Sequence, residues 1–232
     1  MKCKLVSYSQ PSKEFLDEGL ENIQDLIAYC ARVSNPDNQM NSKTSTKLLN
    51  YLAKHKHWSP FEMVSVCIEV ETTRDIARQF LRHRSFSFQE FSQRYADPTS
   101  DLSFDIRECR LQDPKNRQNS IDIEHDPSIQ DNAKMSDLVL EWQRRQHGVI
   151  KLAKQTYNWA VENGIAKEQA RAVLPEGNTV SRLYVNGTIR SWIHYIELRS
   201  ANGTQKEHME LARAIGKAII EIFPLANGYI GE

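Results

Sequence analysis

The chain has 232 residues, of which 40% are hydrophobic and 26% are charged, and its 30 basic residues balance 30 acidic ones. These values are typical of a globular protein, and the balanced charge argues against a nucleic-acid partner. No apolar run approaches the roughly 20 residues that a membrane-spanning helix needs, and residues 1–6 lack the apolar core of a secretion signal. We therefore expect a cytoplasmic protein.

Apolar spacing in the first third of the chain predicts a strand, two helices, a second strand and a third helix. The first four cover about residues 1–6, 22–33, 45–54 and 62–71. In the second strand four branched apolar residues alternate with polar ones, as in a strand with one buried face. They are Val64, Val66, Ile68 and Val70. Thr72 or Thr73 is expected to cap the third helix, which the triplet 82–84 closes before a serine-rich loop.

Residues 96–137 are acidic and polar, with three prolines and little periodicity, which indicates a long surface excursion rather than a second domain. Beyond it the pattern predicts an amphipathic helix, a short helix, a strand and two final helices. These cover about residues 136–162, 166–174, 179–185, 188–199 and 205–223. The expected fold is α+β, a mixed or antiparallel sheet with packed helices, in a single domain over residues 1–232.

Cysteines and Asn-Gly pairs carry weaker signals. The four cysteines form no Cys-x-x-Cys pair, so we expect buried free thiols rather than a zinc ribbon. Asn186-Gly187 and Asn202-Gly203 match the start of the glycosylation pattern, but in a reducing compartment they are better interpreted as turns.

The segment from Arg82 to Arg94 is the most informative part of the chain. Its sequence, RHRSFSFQEFSQR, combines three arginines, a histidine, a carboxylate and three serine hydroxyls. A guanidinium is a rigid planar fork that can bind a phosphate through two parallel hydrogen bonds. In a chain without net charge, such a local basic cluster indicates a small phosphorylated ligand.

The same segment resembles a known signature. An arginine-histidine-arginine triplet, seven residues and a serine at Ser92 match the motif of the flavin-dependent thymidylate synthases. Four further blocks resemble this family and occur in its order. They lie at residues 31–34, 54–62, 168–175 and 188–199. The chain has Ser59 where the family commonly has threonine, and its 96–137 region is longer than in compact members.

The resemblance implies an activity. The family adds a one-carbon unit to C5 of deoxyuridine monophosphate (dUMP) and reduces it to a methyl group, which gives dTMP. It implies FAD as cofactor, NADPH as reductant, methylenetetrahydrofolate as one-carbon donor, and a homotetramer with active sites shared between subunits. The chain has no Gly-x-Gly-x-x-Gly cradle for a dinucleotide, so the arginine motif is expected to bind the flavin.

The resemblance also assigns residues by position. Flavin contacts are expected from Ser34, Ser59, Arg82, His83, Arg84, Glu90, Arg190 and His194. Contacts to dUMP are expected from Gln79, Arg82, Glu90, Ser92, Gln93, Arg94, Arg171 and Arg199. Two residues are expected to be catalytic. His57 would lie near the isoalloxazine, and the charge of Arg199 would favour the ionised, electron-rich uracil ring. No metal site is expected.

Other interpretations of these residues stay open. Ser92 could be a nucleophile, but no adjacent base is evident in the sequence, so we favour a ligand role. The arginine cluster could belong to a nucleotide- or RNA-binding module, which steep salt dependence would reveal. His55, His57 and a cysteine could bind zinc, although their spacing is poor and metal analysis would decide.

Overall fold

The structure is a computed structural model that describes residues 2–123 and 132–228, without the side chains of residues 132–134. Its strands are β1 (Lys2–Tyr8), β2 (Ser65–Thr73), β3 (Phe86–Glu90), β4 (Arg110–Gln112), β5 (Ser120–Asp122) and β6 (Val180–Thr188). Its α-helices are α1 (Lys13–Asp17), α2 (Ile23–Ala31), α3 (Ser45–Lys54), α4 (Arg74–Phe80), α5 (Pro98–Asp101), α6 (Asn132–Glu162), α7 (Lys167–Ala170), α8 (Ile189–Ser200) and α9 (Lys206–Ile222). Short 3₁₀ helices include Ser59–Met63, Arg171–Val173 and Pro224–Gly228.

Four strands form one antiparallel sheet in the order β1-β2-β6-β3. The two central strands pair along nine residues each, from Ser65 opposite Thr188 to Thr73 opposite Val180. Strands β4 and β5 form a separate two-stranded ribbon inside the 96–137 excursion. The predicted α+β fold with an antiparallel sheet is confirmed.

The core lies on one face of the four-stranded sheet. The alternation predicted for β2 is confirmed, because Val66, Ile68 and Val70 are fully buried. Helices α2, α3, α4, α8 and α9 supply the apolar side chains that cover this face. Trp192 of α8 is tied to the sheet as well, since its indole nitrogen donates to the carbonyl of Val66 at 3.0 Å.

The other face of the sheet is polar. Glu71 lies opposite Arg182 across the β2–β6 pair, and the Arg182 guanidinium donates two hydrogen bonds to Oε1 of Glu71. The hydrogen bond from Arg182 lowers the pKa of Glu71 against the opposing effect of its partial burial. This cross-strand pair adds to the central strand register.

The predicted serine-rich loop is wrong, because Phe86–Glu90 is the edge strand β3 and α4 already ends at Phe80. Phe86 and Phe88 point to the core, where their ring centroids lie 5.9 and 5.5 Å from that of Phe80. The intervening hydroxyl and amide side chains point to the opposite side. Apolar and polar residues alternate from Phe86 to Glu90, as in a strand with one buried face, but clustered serines are also typical of loops.

The turn predicted at Asn186-Gly187 is also wrong, because both residues lie inside β6. Gly187 pairs with Phe86 of the edge strand, and a Cβ atom at this position would lie 2.3 Å from Cδ1 of the Phe86 ring. The glycine therefore makes room for an aromatic ring rather than a reversal of the chain. The second pair behaves as predicted, since Gly203 has a φ of +91° in the turn before α9.

Residues 96–123, the first described part of the 96–137 excursion, are fastened to α6. The backbone N–H of Arg107 donates to Oε1 of Gln146 at 2.6 Å, and Nε2 of Gln146 donates back to the Arg107 carbonyl at 2.9 Å. Gln146 is buried in the middle of α6. A backbone segment without regular structure is thus held by a side-chain amide that satisfies its donor and its acceptor.

Helix α6 confirms the predicted amphipathic helix, with a start four residues earlier. Several of its large apolar side chains are nevertheless exposed. They include Leu138, Trp142, Val149, Leu152 and Trp159, which are 40–65% exposed. Their spacing of four, three or seven residues places them along one stripe of the helix.

The other predicted helices and strands agree with the structure, with small changes. The short helix predicted at 166–174 is divided into α7 and a 3₁₀ turn, and Pro224 follows the end of α9. Thr73 is the N-cap residue of α4, but its hydroxyl donates to the Asp75 carboxylate at 2.6 Å instead of capping the backbone. The four cysteines are free, and each is partly rather than fully buried.

Candidate active site

The predicted catalytic arginine contacts the arginine motif directly. Nε of Arg199, at the end of α8, donates to Nε2 of His83 at 2.9 Å. His83 follows α4, and its pKa is lowered to about 4 by burial and by the positive charges of Arg199 and Arg82. At neutral pH the imidazole is therefore uncharged and can accept this hydrogen bond from the guanidinium. We call Gln79, Arg82, His83 and Arg199 the Arg199 cluster.

Beneath this cluster lies a histidine that the sequence analysis missed. His208 of α9 is fully buried, with its Nε2 3.1 Å from the Tyr195 hydroxyl and its Nδ1 3.3 Å from Oε1 of Gln79. Its pKa is lowered to about 3, by burial first and then by the charges of Arg199 and His83. The available signal was its position on the apolar face of a predicted helix, three residues before Leu211.

A second group surrounds Glu90 at the end of β3. Arg74 donates to Oε1 of Glu90 at 3.2 Å, and the Ser181 hydroxyl donates to the same oxygen at 2.9 Å. Arg74 and Ser181 are buried and were not predicted as site residues. Arg171 lies close enough for its charge to act on Arg74. One oxygen of Glu90 is thus occupied within the chain, which leaves Oε2 for the predicted ligand contact.

The turn after β3 carries three more predicted substrate residues. Gln93 is 4% exposed, and its amide nitrogen has no hydrogen-bond partner among the described residues. A buried donor without a partner is costly in a folded protein, so this amide nitrogen is available for the ligand contact that was predicted for Gln93. Arg94 forms a half-exposed ion pair with Glu168 at 3.3 Å. With Arg74, Glu90, Ser92 and Arg171, these two residues make up what we call the Glu90 cluster.

The hydroxyl of Ser92 is not paired with a base among the residues that the structure describes. Within the described residues no histidine or carboxylate forms a hydrogen bond with its hydroxyl, and only its backbone carbonyl is engaged, by the N–H groups of Tyr95 and Ala96. A serine nucleophile needs such a base. The ligand role expected for Ser92 stays a prediction.

The third group lies where β6 passes into α8. His194 packs edge-on against Trp58, with ring centroids 5.0 Å apart, and its pKa is lowered by burial and by the charge of Arg190. Arg190 itself forms an ion pair with Glu62, so within this chain its charge is already balanced. Together with His57 and Ser59, both exposed, we call Arg190 and His194 the His194 cluster.

The predicted early flavin residue lies outside these three groups. Ser34 is exposed in the turn after α2. The backbone before it is anchored by the buried Arg32, which donates to the carbonyl of Asn41 at 2.6 Å and to the hydroxyl of Thr44 at 2.8 Å. The role of Ser34 toward flavin stays a prediction.

Within one chain the three clusters remain apart. Among the described residues no hydrogen bond or ion pair joins the Arg199 cluster to the Glu90 cluster. They lie at opposite ends of α4, whose seven residues span about 10 Å. Ser181 and Thr188, next to the Glu90 and His194 clusters, are separated by about 23 Å of strand β6. Two cavities of about 480 and 330 Å³ are lined by other residues.

The donors present suit a flavin dinucleotide. Arg82 and Arg84 are exposed, and neither forms an ion pair with any described residue. Two guanidinium groups that lie two positions apart and lack an acidic partner among the described residues are chemically suited to the negative diphosphate of FAD. Imidazole and hydroxyl groups at His57 and Ser59 can donate to ring heteroatoms. The residues therefore fit the cofactor, although each individual contact stays a prediction.

Comparison with known proteins identifies the class. Residues 14–225 match the family model described as thymidylate synthase complementing protein, so the chain is of the thymidylate-synthesising type. A crystal structure of a UMP/dUMP methylase from Streptomyces cacaoi, bound with 5-Br dUMP, superposes with a TM-score of 0.76. The match covers 98% of this chain and 93% of that one. At 24% identity this likeness supports the fold alone.

Two curated relatives define the family more narrowly. The chain is 47% identical to the probable flavin-dependent thymidylate synthase of Paramecium bursaria Chlorella virus 1 over 224 residues, which cover 97% of this chain and 96% of the relative. It is 46% identical to the flavin-dependent thymidylate synthase of Synechocystis over 225 residues, with the same coverage. The chain belongs to the family of flavin-dependent thymidylate synthases. The predicted enzyme class and its flavin cofactor are confirmed at this level.

The structure gives the zinc interpretation no support within the described residues. The rings of His55 and His57 are 6.3 Å apart, and the described part of the chain contains no group of three His, Cys, Asp or Glu residues that could hold a metal ion. None of the described helices has the length and apolar character needed to cross a bilayer.

Proposed function

We propose that this chain converts dUMP to dTMP, with methylenetetrahydrofolate as one-carbon donor and FAD, reduced by NADPH, as hydride source. The observation that carries the proposal is the pairing of Arg199 with a neutral His83 inside the family's arginine motif. A neutral partner orients the guanidinium without balancing its charge. On this proposal the unbalanced charge of Arg199 lies beside the pyrimidine ring.

The substrate phosphate would be bound by the Glu90 cluster. Arg94 and Arg171 are permanently charged and can each donate two hydrogen bonds to a phosphate. The unpartnered amide of Gln93 and the hydroxyl of Ser92 supply further donors. Binding would replace the half-exposed ion pair between Arg94 and Glu168, which is weak enough to exchange.

The uracil ring would lie against the Arg199 cluster. A guanidinium beside the ring stabilises the negative charge that develops when N3 loses its proton, which makes C5 a better nucleophile. Gln79 and Arg82 would complete the binding of the nucleotide on this side. When bound, reduced flavin supplies the hydride that converts the added carbon to a methyl group.

Flavin would be held by polar and charged side chains of the motif blocks. The residues proposed for this role are Ser34, Ser59, Arg82, His83, Arg84, Glu90, Arg190 and His194. His57 would lie beside the isoalloxazine as a hydrogen-bond donor. For Arg190, binding requires that it share or leave its ion pair with Glu62.

We further propose a homotetramer with active sites shared between subunits. The proposed uracil and phosphate sites belong to clusters that no described contact joins within one chain. A second copy can bring its Glu90 cluster to the Arg199 cluster of the first. The exposed stripe of Leu138, Val149, Leu152 and Trp159 on α6 offers apolar surface for such contacts between copies.

Two coarser expectations complete the proposal. A cytoplasmic location is supported by four cysteines that are all free, as in a reducing compartment. A single catalytic domain over residues 1–232 is supported by the ties between the excursion and the rest of the chain. Arg107, for example, forms an ion pair with Asp75 of α4 at 2.6 Å.

The test combines absorbance with turnover. Purified protein loaded with FAD should be yellow and should form dTMP from dUMP only when NADPH and methylenetetrahydrofolate are both present. Arg199→Ala should retain flavin and lose at least about 100-fold in turnover, the typical effect of removing one group that stabilises transition-state charge. Arg213→Ala, an exposed arginine on α9, is the matched control and should be fully active. Protein that binds no flavin and forms no dTMP would contradict the proposal.

A further inference from the structure

We propose that His208 is a positioning residue, which fixes the side chain of Gln79 through a hydrogen-bond chain whose direction is imposed by Glu207. The inference rests on the proposed function, in which Gln79 contacts dUMP. His208 itself is fully buried behind Phe80 and Tyr195, so it would act through Gln79 and not on the substrate.

The hydrogen-bonded series runs from Tyr195 in the core to Glu207 in the first turn of α9. The Tyr195 hydroxyl is 3.1 Å from Nε2 of His208, and Nδ1 of His208 is 3.3 Å from Oε1 of Gln79. Nε2 of Gln79 donates to Oε1 of Gln205 at 2.8 Å. Nε2 of Gln205 donates to Oε2 of Glu207 at 2.9 Å. Two amides and an imidazole thus connect a buried phenol to a carboxylate.

The Glu207 carboxylate fixes the orientation of both glutamine amides and the tautomer of His208. Ionised Glu207 can only accept, so Gln205 must turn its NH₂ group toward it and its oxygen toward Gln79. Gln79 must then present its own NH₂ group to Gln205 and its oxygen to His208. That oxygen also only accepts, so Nδ1 of His208 must carry the proton and Nε2 must accept from Tyr195. A single imidazole tautomer and a single amide orientation satisfy all contacts.

Glu207 is kept ionised by its surroundings. Burial alone would raise its pKa, but hydrogen bonds from the backbone and Gln205, together with the charges of Arg107 and Arg110, leave the pKa below its ordinary value. Arg110 donates to Oε1 of Glu207 at 2.5 Å, and the Arg107 guanidinium lies 3.6 Å from the same oxygen. Both arginines belong to the 96–137 excursion. The excursion therefore supplies the positive charges that keep Glu207, the last member of the hydrogen-bonded series, ionised.

As a consequence, the amide oxygen and the amide nitrogen of Gln79 are each held in one position. Its oxygen keeps one free lone pair and its nitrogen one free hydrogen after the contacts with His208 and Gln205 are made. A glutamine with free rotation would present either atom at either place and would lose conformational entropy on binding. Held in advance, Gln79 offers a ligand one donor and one acceptor in fixed places.

The experiment compares two amides at position 208 in the FAD-loaded enzyme. His208→Asn places an amide N–H near the position of Nδ1 and retains the donor to Gln79. His208→Gln moves the amide toward the position of Nε2 and withdraws that donor. We expect His208→Gln to raise the KM for dUMP about tenfold, the value of one hydrogen bond, with kcat and flavin retention changed less than about twofold. His208→Asn should stay within about threefold of the parent.

A double variant tests whether His208 acts through Gln79. The KM of His208→Gln combined with Gln79→Ala should equal that of Gln79→Ala alone, because there is then no amide to position. Multiplied effects, or equal KM values for His208→Asn and His208→Gln, would overturn the inference. If either His208 variant fails to fold, Glu207→Gln provides the second test. It replaces a carboxylate that can only accept with an amide that can also donate, so the direction of the hydrogen bonds is no longer imposed. An unchanged KM for dUMP would then contradict the inference. A parent enzyme without activity on dUMP would instead contradict the proposed function.

Discussion

Gly187→Ala should destabilise the protein through one steric contact. The added Cβ would lie 2.3 Å from Cδ1 and 2.5 Å from Cε1 of Phe86, where ordinary contacts begin near 3.4 Å. The ring cannot easily retreat. It is 9% exposed, and its centroid lies 4.5 Å from the ring of Trp192 and 5.9 Å from that of Phe80.

The size of the effect follows from this geometry. The Phe86 ring must move by about 1 Å within a packed aromatic group, and overpacking of this kind typically costs about 1–3 kcal/mol. For a chain of this length that corresponds to a loss of about 2–4 °C in Tm per kcal/mol. Gly148→Ala is the matched control, because a Cβ there meets nothing within 4 Å and alanine favours the helix.

Thermal unfolding followed by circular dichroism gives the measurement, and Phe86→Ala tests the mechanism. Alone, Phe86→Ala should cost about 3–5 kcal/mol. In the Gly187→Ala background it should cost at least about 1 kcal/mol less, since it also removes the clash. A Gly187→Ala protein that melts with the parent, or effects of the two substitutions that simply add, would refute the reasoning.

Two further predictions concern backbone strain and acid stability. Gly203→Ala should lower Tm by a few degrees although its Cβ has open space, because φ is +91°. If Tm is unchanged, the turn conformation is wrong. Lowering the pH from 7 to 5 should destabilise the parent more than His208→Asn. The pKa of His208 is about 3 in the folded protein and about 6.5 in the unfolded chain. Below about pH 6.5 the unfolded state therefore binds more protons at this residue, and the free energy of unfolding decreases as the pH is lowered. Equal losses would contradict a buried neutral His208.

Local periodicity was enough to predict most elements of the fold. The helices over residues 45–54 and 205–223, and the alternation from Val64 to Val70, are patterns in which neighbouring residues share one environment. The strand β3 was missed although Phe86 and Phe88 alternate with polar residues, because clustered serines are also typical of loops. Gly187 was assigned to a turn because the need for a glycine there comes from the ring of Phe86, which is about a hundred residues earlier in the sequence.

The site residues also divide into those that the sequence identified and those that only the structure shows. Motif resemblance identified Arg199 and His83, and the structure joins them. The motif resemblance did not identify Arg74, whose guanidinium donates a hydrogen bond to Glu90, 16 positions away in the sequence. His208 and its link to Gln79 span 129 positions. Residues that position others carry no local signal, because their partners are set by tertiary packing.

The excursion shows the same limit. Its composition predicted a surface segment, and the two-stranded ribbon of Arg110–Gln112 and Ser120–Asp122 is too short to give a clear period. The part played by Arg107 depends on Asp75 and Glu207, which lie in α4 and α9. Charge composition alone could not distinguish this anchoring arginine from a solvated one.

Subunit complementation tests the shared active site most directly. Arg199→Ala and Arg171→Ala each remove one side of the proposed dUMP site, and each variant alone should be inactive. When the two are unfolded and reassembled together, random pairing should give intact sites at about a quarter of positions, so about a quarter of parental dTMP formation should return. Mixed assemblies that retain flavin and the parental size but form no dTMP would contradict a site built from two chains.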